Sequence, residues 1–121
     1  MISWFEIPVA DMDRAQKFYE TVFKVSMKVQ DFGGLLYGWF PPKPASESAT
    51  GALVKQESYI PSTTDGVLVY FASGDVANEL AIIEEAGGTI VQGKTQISPD
   101  TGYMAIFIDT EGNRIALFSR P

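Results

Sequence analysis

Residues 5–19, FEIPVADMDRAQKFY, decide the fold because a strand pattern gives way to a helix pattern at Asp11. Phe5, Ile7 and Val9 alternate with more polar neighbours, which predicts a strand over 2–9 with one apolar face. Asp11 is a predicted N-cap, since its carboxylate can accept hydrogen bonds from the first free N–H groups of a helix. A buried helical stripe is then predicted from the spacing of Met12, Ala15, Phe18, Tyr19, Val22 and Phe23.

The rest of the first half contains three further predicted strands, at about 25–31, 35–40 and 51–56. Gly33 and Gly34 mark a hairpin between the first two of these strands. The polar, proline-rich stretch 41–50 cannot lie inside a sheet and predicts a mobile loop.

The second half repeats this order of elements. A strand is predicted over 67–72, Asp75 is again an N-cap, and a helix follows that stops at Gly87 and Gly88. Three strands come next, at about 89–93, 103–108 and 113–118. The halves align at a shift of about 64 positions, which matches Asp75 to Asp11 and predicts an internal duplication.

Composition excludes several classes of function. The chain has 9 Lys and Arg against 15 Asp and Glu, a net charge of −6 that disfavours nucleic acid and anionic membranes as partners. It has no Cys and no His, so disulfides, thiolate chemistry and histidine-based triads are impossible. The N-terminus resembles no leader sequence, and no apolar run approaches the ~20 residues that span a bilayer, so a cytoplasmic location is expected.

The opening stretch resembles the vicinal-oxygen-chelate superfamily, also called the glyoxalase/bleomycin-resistance/dioxygenase family. That family opens with a strand, then D-x-x-R-A, then F-Y, as residues 5–19 do. Residues 86–88, AGG, close the second helix, and residues 109–118, DTEGNRIALF, are similar to the family's final D-P-D-G-N turn and strand. The three motifs stand in the family's order and span the chain.

The resemblance implies an α+β fold in which two tandem β-α-β-β-β modules form an incomplete barrel around a cavity, with the helices outside. We expect a single domain over 1–121, with one module at about 1–58 and the other at about 65–121. A homodimer is also expected, because family members commonly pair modules between chains. Each half of the barrel would otherwise leave a sheet edge and an apolar face uncovered.

The resemblance also implies where a metal site would lie in this chain. In the family's metalloenzymes, four ligands point into the cavity, one from the first and one from the last strand of each module. The matching positions here are Trp4, about Ala52, Leu68 and Ala116, and none carries a carboxylate or imidazole. We therefore expect no metal and no cofactor, and a metal-dependent glyoxalase or ring-cleaving dioxygenase is disfavoured.

Strand alternation predicts which side chains line the cavity, because alternate residues share one sheet face and the cavity lies on the face opposite the helix. The predicted ligand-binding residues are Trp4, Glu6, Tyr37, Trp39, Leu68, Tyr70, Arg114 and Phe118, with Tyr103 or Met104 beside them. Their aromatic rings would either form a slot for a flat or apolar ligand or simply fill the barrel interior.

Glu6 is the one candidate catalytic residue. A carboxyl between Trp4 and Pro8 on an inward face is expected to be desolvated, which suits an acid/base role. The structural alternative is that Glu6 forms an ion pair with an inward Arg114 or bonds to the backbone, with no role in function.

Three functions follow from these observations. The leading one is a metal-independent small-molecule-binding protein of the glyoxalase/bleomycin-resistance type, for an aromatic or amphipathic ligand. The second is a metal-free isomerase or lyase that uses Glu6 as acid/base with a tyrosine as partner. The third is an interaction domain whose cavity is filled by side chains. The first two predict an open, partly polar pocket, and the third predicts none.

Overall fold

The structure, a computed structural model, describes residues 2–41 and 50–121. The chain divides into two compact units, unit 1 at Met1–Pro61 and unit 2 at Ser62–Pro121. Of the predicted mobile loop over 41–50, residues 42–49 lie outside the described residues. No helix in the part of the chain that the structure describes is long and apolar enough to cross a membrane.

Each unit is a β-α-β-β-β module with a mixed four-stranded sheet. Unit 1 contains β1 (Trp4–Pro8), α1 (Met12–Phe23), β2 (Lys28–Phe32), β3 (Leu35–Trp39) and β4 (Thr50–Lys55), in the sheet order β1-β4-β3-β2. Unit 2 contains β5 (Val69–Ala72), α2 (Val76–Ile83), β6 (Thr89–Ser98), β7 (Gly102–Ile108) and β8 (Arg114–Ser119), in the sheet order β5-β8-β7-β6. The first and last strands of each unit pair in parallel, and the other pairs are antiparallel. The predicted α+β fold with tandem modules is confirmed.

Both helices begin at the predicted aspartates. The Asp11 carboxylate accepts from the Arg14 N–H at 3.1 Å, and the Asp75 carboxylate accepts from the Ala77 N–H at 2.9 Å. The hydrogen bond from the Ala77 N–H lowers the pKa of the Asp75 carboxyl, and the Lys94 ammonium, 3.1 Å away, lowers it further. The cap therefore stabilises the fold at any pH above the ordinary pKa of aspartate. This stability is lost as the pH falls through the lowered pKa of Asp75.

The apolar stripe of α1 packs on β3 and β4 and forms the core of unit 1. Its buried members are Met12, Ala15, Phe18, Tyr19 and Val22, as predicted, whereas Phe23 is only half-buried and stacks against Tyr19. Burying a side chain such as Phe18 contributes about 1.5–3 kcal/mol. No buried side-chain nitrogen or oxygen among the described residues lacks a hydrogen-bond partner.

The turn predicted at residues 109–113 is also confirmed, and it joins β7 to β8. The Asp109 carboxylate accepts from the backbone N–H groups of Glu111 and Asn113, each at 2.8 Å, and from the Asn113 amide at 3.0 Å. Gly112 has a φ of 89°, a left-handed conformation that favours glycine. These local bonds fix the entry of the chain into β8.

Strand β6 differs most from the prediction, because it runs to Ser98 rather than ending at about 93. Its pairing with β7 contains register shifts between Ile90 and Gln92, Gln92 and Thr95, and Gln96 and Ser98. Bulges of this kind break strict alternation, so the polar second half of β6 carries no strand signal in the sequence. Strand β5 is shorter than predicted, since it begins at Val69.

Gly51 is required where β4 pairs with β1. A Cβ at residue 51 would overlap the carbonyl oxygen of Phe5 and lie 2.7 Å from Cγ of its ring. We therefore expect Gly51→Ala to destabilise the protein by about 1–3 kcal/mol. Gly93→Ala is the matched control, because nothing lies within 4 Å of its Cβ position, and it should stay within about 0.5 kcal/mol of the parent. Urea unfolding followed by circular dichroism measures both, and equal midpoints would contradict the packing described here.

Candidate functional site

The register of β1, β4 and β3 brings the candidate residues of unit 1 onto one sheet face. Glu6 is in register with Ala52, and Ala52 is in register with Trp39. Tyr37 lies two residues before Trp39 and therefore shares its face. Gly38 faces the other way, since a Cβ there would lie 3.0 Å from the sulfur of Met12 in α1.

Four aromatic rings follow one another across this face. The ring centroids of Trp4 and Trp39 lie 5.2 Å apart, those of Trp39 and Tyr37 5.4 Å, and those of Tyr37 and Phe32 5.7 Å. The Tyr37 and Trp39 rings are stacked, with 23° between their planes. We call Trp4, Phe32, Tyr37 and Trp39 the aromatic face.

Two small features hold the aromatic face in place. Trp4 on β1 approaches Trp39 on β3 across the intervening strand β4, where the residue in register with Trp39 is Ala52, with only a methyl side chain. The Trp39 indole N–H donates to the Gln30 amide oxygen at 2.9 Å, which fixes the ring against β2. Part of each ring remains in contact with solvent, and Trp4 is 37% exposed.

Glu6 lies beside the aromatic face; the residue as a whole is half-buried, and the hydrogen bonds of its carboxylate are exposed. Its Oε1 accepts from the Tyr59 hydroxyl at 2.9 Å, and its Oε2 accepts from the Trp4 indole N–H at 3.3 Å. Both donors are uncharged groups of unit 1. The predicted alternative, an ion pair with Arg114, concerns residues of different units and stays a prediction.

Tyr59 was not identified from the sequence. It lies in the segment after β4, where its backbone N–H donates to the Gln56 carbonyl in a turn. That segment has no periodic pattern, so alternation could not place the phenol near a residue 53 positions earlier in the chain. Gln30 was missed as well, because β2 is exposed along its whole length and carries no apolar alternation.

The hydrogen bond to Glu6 raises the pKa of the Tyr59 phenol, and the negative charge of Glu6 raises it further. Burial and the neighbouring Tyr37 add smaller contributions in the same direction. The phenol therefore stays protonated and donates to Glu6 at neutral pH, and the bond is lost only as pH rises through the raised value.

Unit 2 carries the other candidate residues. Tyr70 and Phe118 share a sheet face with Met104, because Tyr70 pairs with Ala116 and Met104 pairs with Phe118. Arg114 belongs to the same face and is exposed, while Leu68 precedes β5 and is half-buried. Tyr103 lies on the opposite face, where the Lys94 ammonium is 4.5 Å from the centre of its ring. The two sets of candidates thus belong to different units, and a single site made from both stays a prediction.

An open depression of about 580 Å³ adjoins Tyr59 at the ends of β1 and β4. Its lining includes Val9, Lys55, Gln56, Tyr59 and Ile60. None of the aromatic face residues lines it, but Tyr59 does, and its hydroxyl donates to the Glu6 carboxylate.

The acidic side chains that the structure describes do not form the arrangement that a metal centre requires. Within residues 2–41 and 50–121, no group of three or more His, Cys, Asp or Glu side chains is arranged to hold a metal ion. By the resemblance, the positions that match the family's ligands are Trp4, about Ala52, Leu68 and Ala116. These side chains have no group that binds a hard or borderline divalent ion.

The fold and the sequence define a family. A sequence model described as Glyoxalase/Bleomycin resistance protein/Dioxygenase superfamily matches residues 1–117. The chain belongs to this superfamily, which confirms the resemblance drawn from its motifs.

Similar proteins include both binding proteins and enzymes. A glyoxylase-like domain-containing protein from Didymella fabae is 27% identical over 128 residues, which cover 99% of this chain and 94% of the relative. The crystal structure of TnmS3, an antibiotic-binding protein from Streptomyces sp. CB03234, shares the fold with a TM-score of 0.74 and 24% identity, over 100% of this chain and 96% of that one. A glyoxalase I variant from Zea mays has a TM-score of 0.72 and 16% identity. The alignment covers 97% of this chain but 45% of the maize chain, so this chain spans less than half the length of that enzyme.

The pairing of Tyr59 with Glu6 can be tested by titration. Glu6→Gln removes the charge that opposes phenolate formation, so we expect the pKa of Tyr59 to fall towards the ordinary tyrosine value of about 10. NMR of protein labelled with ¹³C at the tyrosine rings measures the shift, and Tyr59→Phe assigns the signal. Glu57→Gln, which removes a nearby carboxylate that does not contribute to the shift, should leave Tyr59 unchanged. An unchanged Tyr59 signal in Glu6→Gln would contradict the hydrogen bond.

Proposed function

We propose that the protein is a metal-independent small-molecule-binding protein whose ligand stacks a flat aromatic part on the aromatic face of unit 1. The observation that carries this proposal is the row of partly exposed rings beside the Glu6 carboxylate. Ligand sites in proteins commonly combine a mostly apolar, aromatic wall with a few fixed polar groups. Trp4, Tyr37 and Trp39 supply such a wall, and Glu6 and Tyr59 supply polar groups at its edge.

Hydrogen bonds fix the rings of the aromatic face before a ligand binds, which supports the proposal. The indole N–H of Trp4 donates to Glu6 and that of Trp39 donates to Gln30, so the edges of both rings are held while part of their faces stays open. A site ordered before the ligand arrives loses less side-chain entropy on binding. Each ring of the face on which a ligand stacks adds about 0.5–1.5 kcal/mol beyond the burial of its area.

The proposal of metal independence rests on the sequence. The chain has no His and no Cys, and the residues at the four matched ligand positions are Trp, Ala, Leu and Ala. None of these side chains is a ligand for the ions that the family's enzymes use. Binding by this protein is therefore expected to persist without divalent ions.

A second candidate function is a metal-free isomerase or lyase, and the Glu6–Tyr59 hydrogen bond favours it. In that case Glu6 would abstract a proton while Tyr59, held protonated, positions the carboxylate. The same bond serves equally to orient Glu6 towards a ligand that does not react. Binding without turnover in a screen of metabolites separates the two, since an enzyme would convert the compounds that stabilise it on binding.

The third candidate, an interaction domain with a filled cavity, predicts that no small molecule stabilises the protein. The similarity in fold to an antibiotic-binding protein favours the first candidate over this one. We propose that antibiotics and other aromatic metabolites belong in the first set of compounds tested, and that the protein acts in the cytoplasm.

Ligand binding at the aromatic face should be detected as a thermal shift, because a ligand that binds only the folded state raises its stability. We expect at least one aromatic compound to raise the melting temperature, and Trp39→Leu to weaken its binding by about tenfold, or ~1.4 kcal/mol. Tyr103→Phe is the control, since Tyr103 lies in unit 2 on the opposite sheet face from the other candidates there. Treatment with a chelator should leave the affinity unchanged, and a requirement for a divalent ion would overturn metal independence.

We also propose a homodimer. Strand β6 is an edge strand of its sheet, and it carries two exposed apolar side chains, Val91 at 58% and Ile97 at 49%. An uncovered edge with apolar side chains is a surface that a second copy would protect.

Light scattering at micromolar concentration should therefore give the mass of two chains. Replacing both Val91 and Ile97 by Lys should shift the mass towards one chain, because a charged edge disfavours pairing. Ala77→Lys, on the exposed side of α2, should leave the dimer intact. A monomeric parent protein would contradict the proposal.

A further inference from the structure

The charge of Glu6 limits what can bind beside the aromatic face. Its carboxylate accepts from two neutral donors, Tyr59 and Trp4. Within the described residues of unit 1, no basic side chain forms an ion pair with it. Among the described residues of unit 1, the negative charge is thus compensated by two hydrogen bonds from neutral groups and by no ion pair.

A flat ligand that covered the aromatic face would remove water from this carboxylate. Removing water from a charge is costly unless a countercharge replaces the lost solvation. A neutral ring would bear this cost without compensation, and an anionic ring would add repulsion. A cationic ring would replace the lost water with an opposite charge at short range.

The rings beside Glu6 favour the same class of ligand. Cations are attracted to the faces of aromatic rings, most strongly to tryptophan, and two of the four rings of the aromatic face are Trp4 and Trp39. The net charge of −6 also raises the local concentration of cations around the protein.

We propose that the ligand of this face is a flat aromatic cation, such as an aromatic amine or an N-alkylated heteroaromatic ring, with its positive charge beside Glu6. This inference rests on the proposed function and names the class of ligand for the same site. Glu6 is then a specificity residue, which selects for charge, while the aromatic face supplies stacking that does not depend on charge.

The test compares three probes of nearly the same shape and different charge: N-methylquinolinium as the cation, quinoline as the neutral ring and 2-naphthoate as the anion. Binding is measured at neutral pH by calorimetry and by quenching of tryptophan fluorescence. We expect the cation to bind at least about tenfold more tightly than quinoline, and the anion to bind most weakly. Added salt should weaken the binding of the cation and leave that of quinoline unchanged.

Glu6→Gln keeps the shape of the side chain and removes its charge. In this variant we expect the cation and quinoline to bind within about twofold of each other, with quinoline binding at least as tightly as it does to the parent. Glu85→Gln, an exposed carboxylate in unit 2, changes the net charge equally and should keep the preference for the cation. Tyr59→Phe leaves the Glu6 carboxylate with one donor fewer and should also keep that preference.

The outcomes separate the two proposals. Equal binding of cation and quinoline by the parent, a preference that survives in Glu6→Gln, or a preference lost in Tyr59→Phe would overturn the inference and leave aromatic binding intact. Failure of all three probes to bind the parent would overturn both the inference and the aromatic face as the site.

Discussion

The parallel pairing of β1 with β4 is the constraint on which the site of unit 1 depends. This pairing sets Ile7 beside Leu53 on the side covered by α1, and Glu6 beside Ala52 on the other side. A shift of one residue would exchange the two faces, exposing the core residues to water and turning Glu6 towards the helix. The burial of the α1 stripe therefore fixes the position of the carboxylate as firmly as it fixes the core. Gly51 permits the close approach of the two strands that this pairing requires.

The elements that could be predicted are those determined by local chemistry. Asp11 and Asp75 cap their helices in the structure because an aspartate followed by a helical pattern needs no distant partner to act as a cap. Trp4, Glu6, Tyr37 and Trp39 could be assigned to one face because period-two alternation holds in regular strands. Both halves also have the same order of elements, so the pattern of strand, cap and helix occurs twice in the sequence.

The parts that could not be predicted depend on contacts between distant residues or on irregular backbone. Tyr59 donates to Glu6 from a turn that has no repeating sequence pattern. The two residues are 53 positions apart, so this hydrogen bond forms only in the folded chain. The long β6 strand escaped prediction because bulges interrupt its alternation and because its outer half is polar. Gln30 looks like any exposed polar residue until Trp39 is seen to donate to it.

The alanine at position 52 has a consequence for how this branch of the superfamily could have diverged. It lies between Glu6 and Trp39 in the sheet, and its methyl group takes up little room on the face where Trp4 and Trp39 meet. By the resemblance, a position at about Ala52 carries a metal ligand in the family's enzymes, and a carboxylate or imidazole at residue 52 would take up more of this face than a methyl group. If the match of positions holds, the row of rings and a metal ligand at this point of β4 would compete for the same part of the sheet face. Under the proposed metal independence, restoring a metal would then require a change in the aromatic row as well as a new ligand.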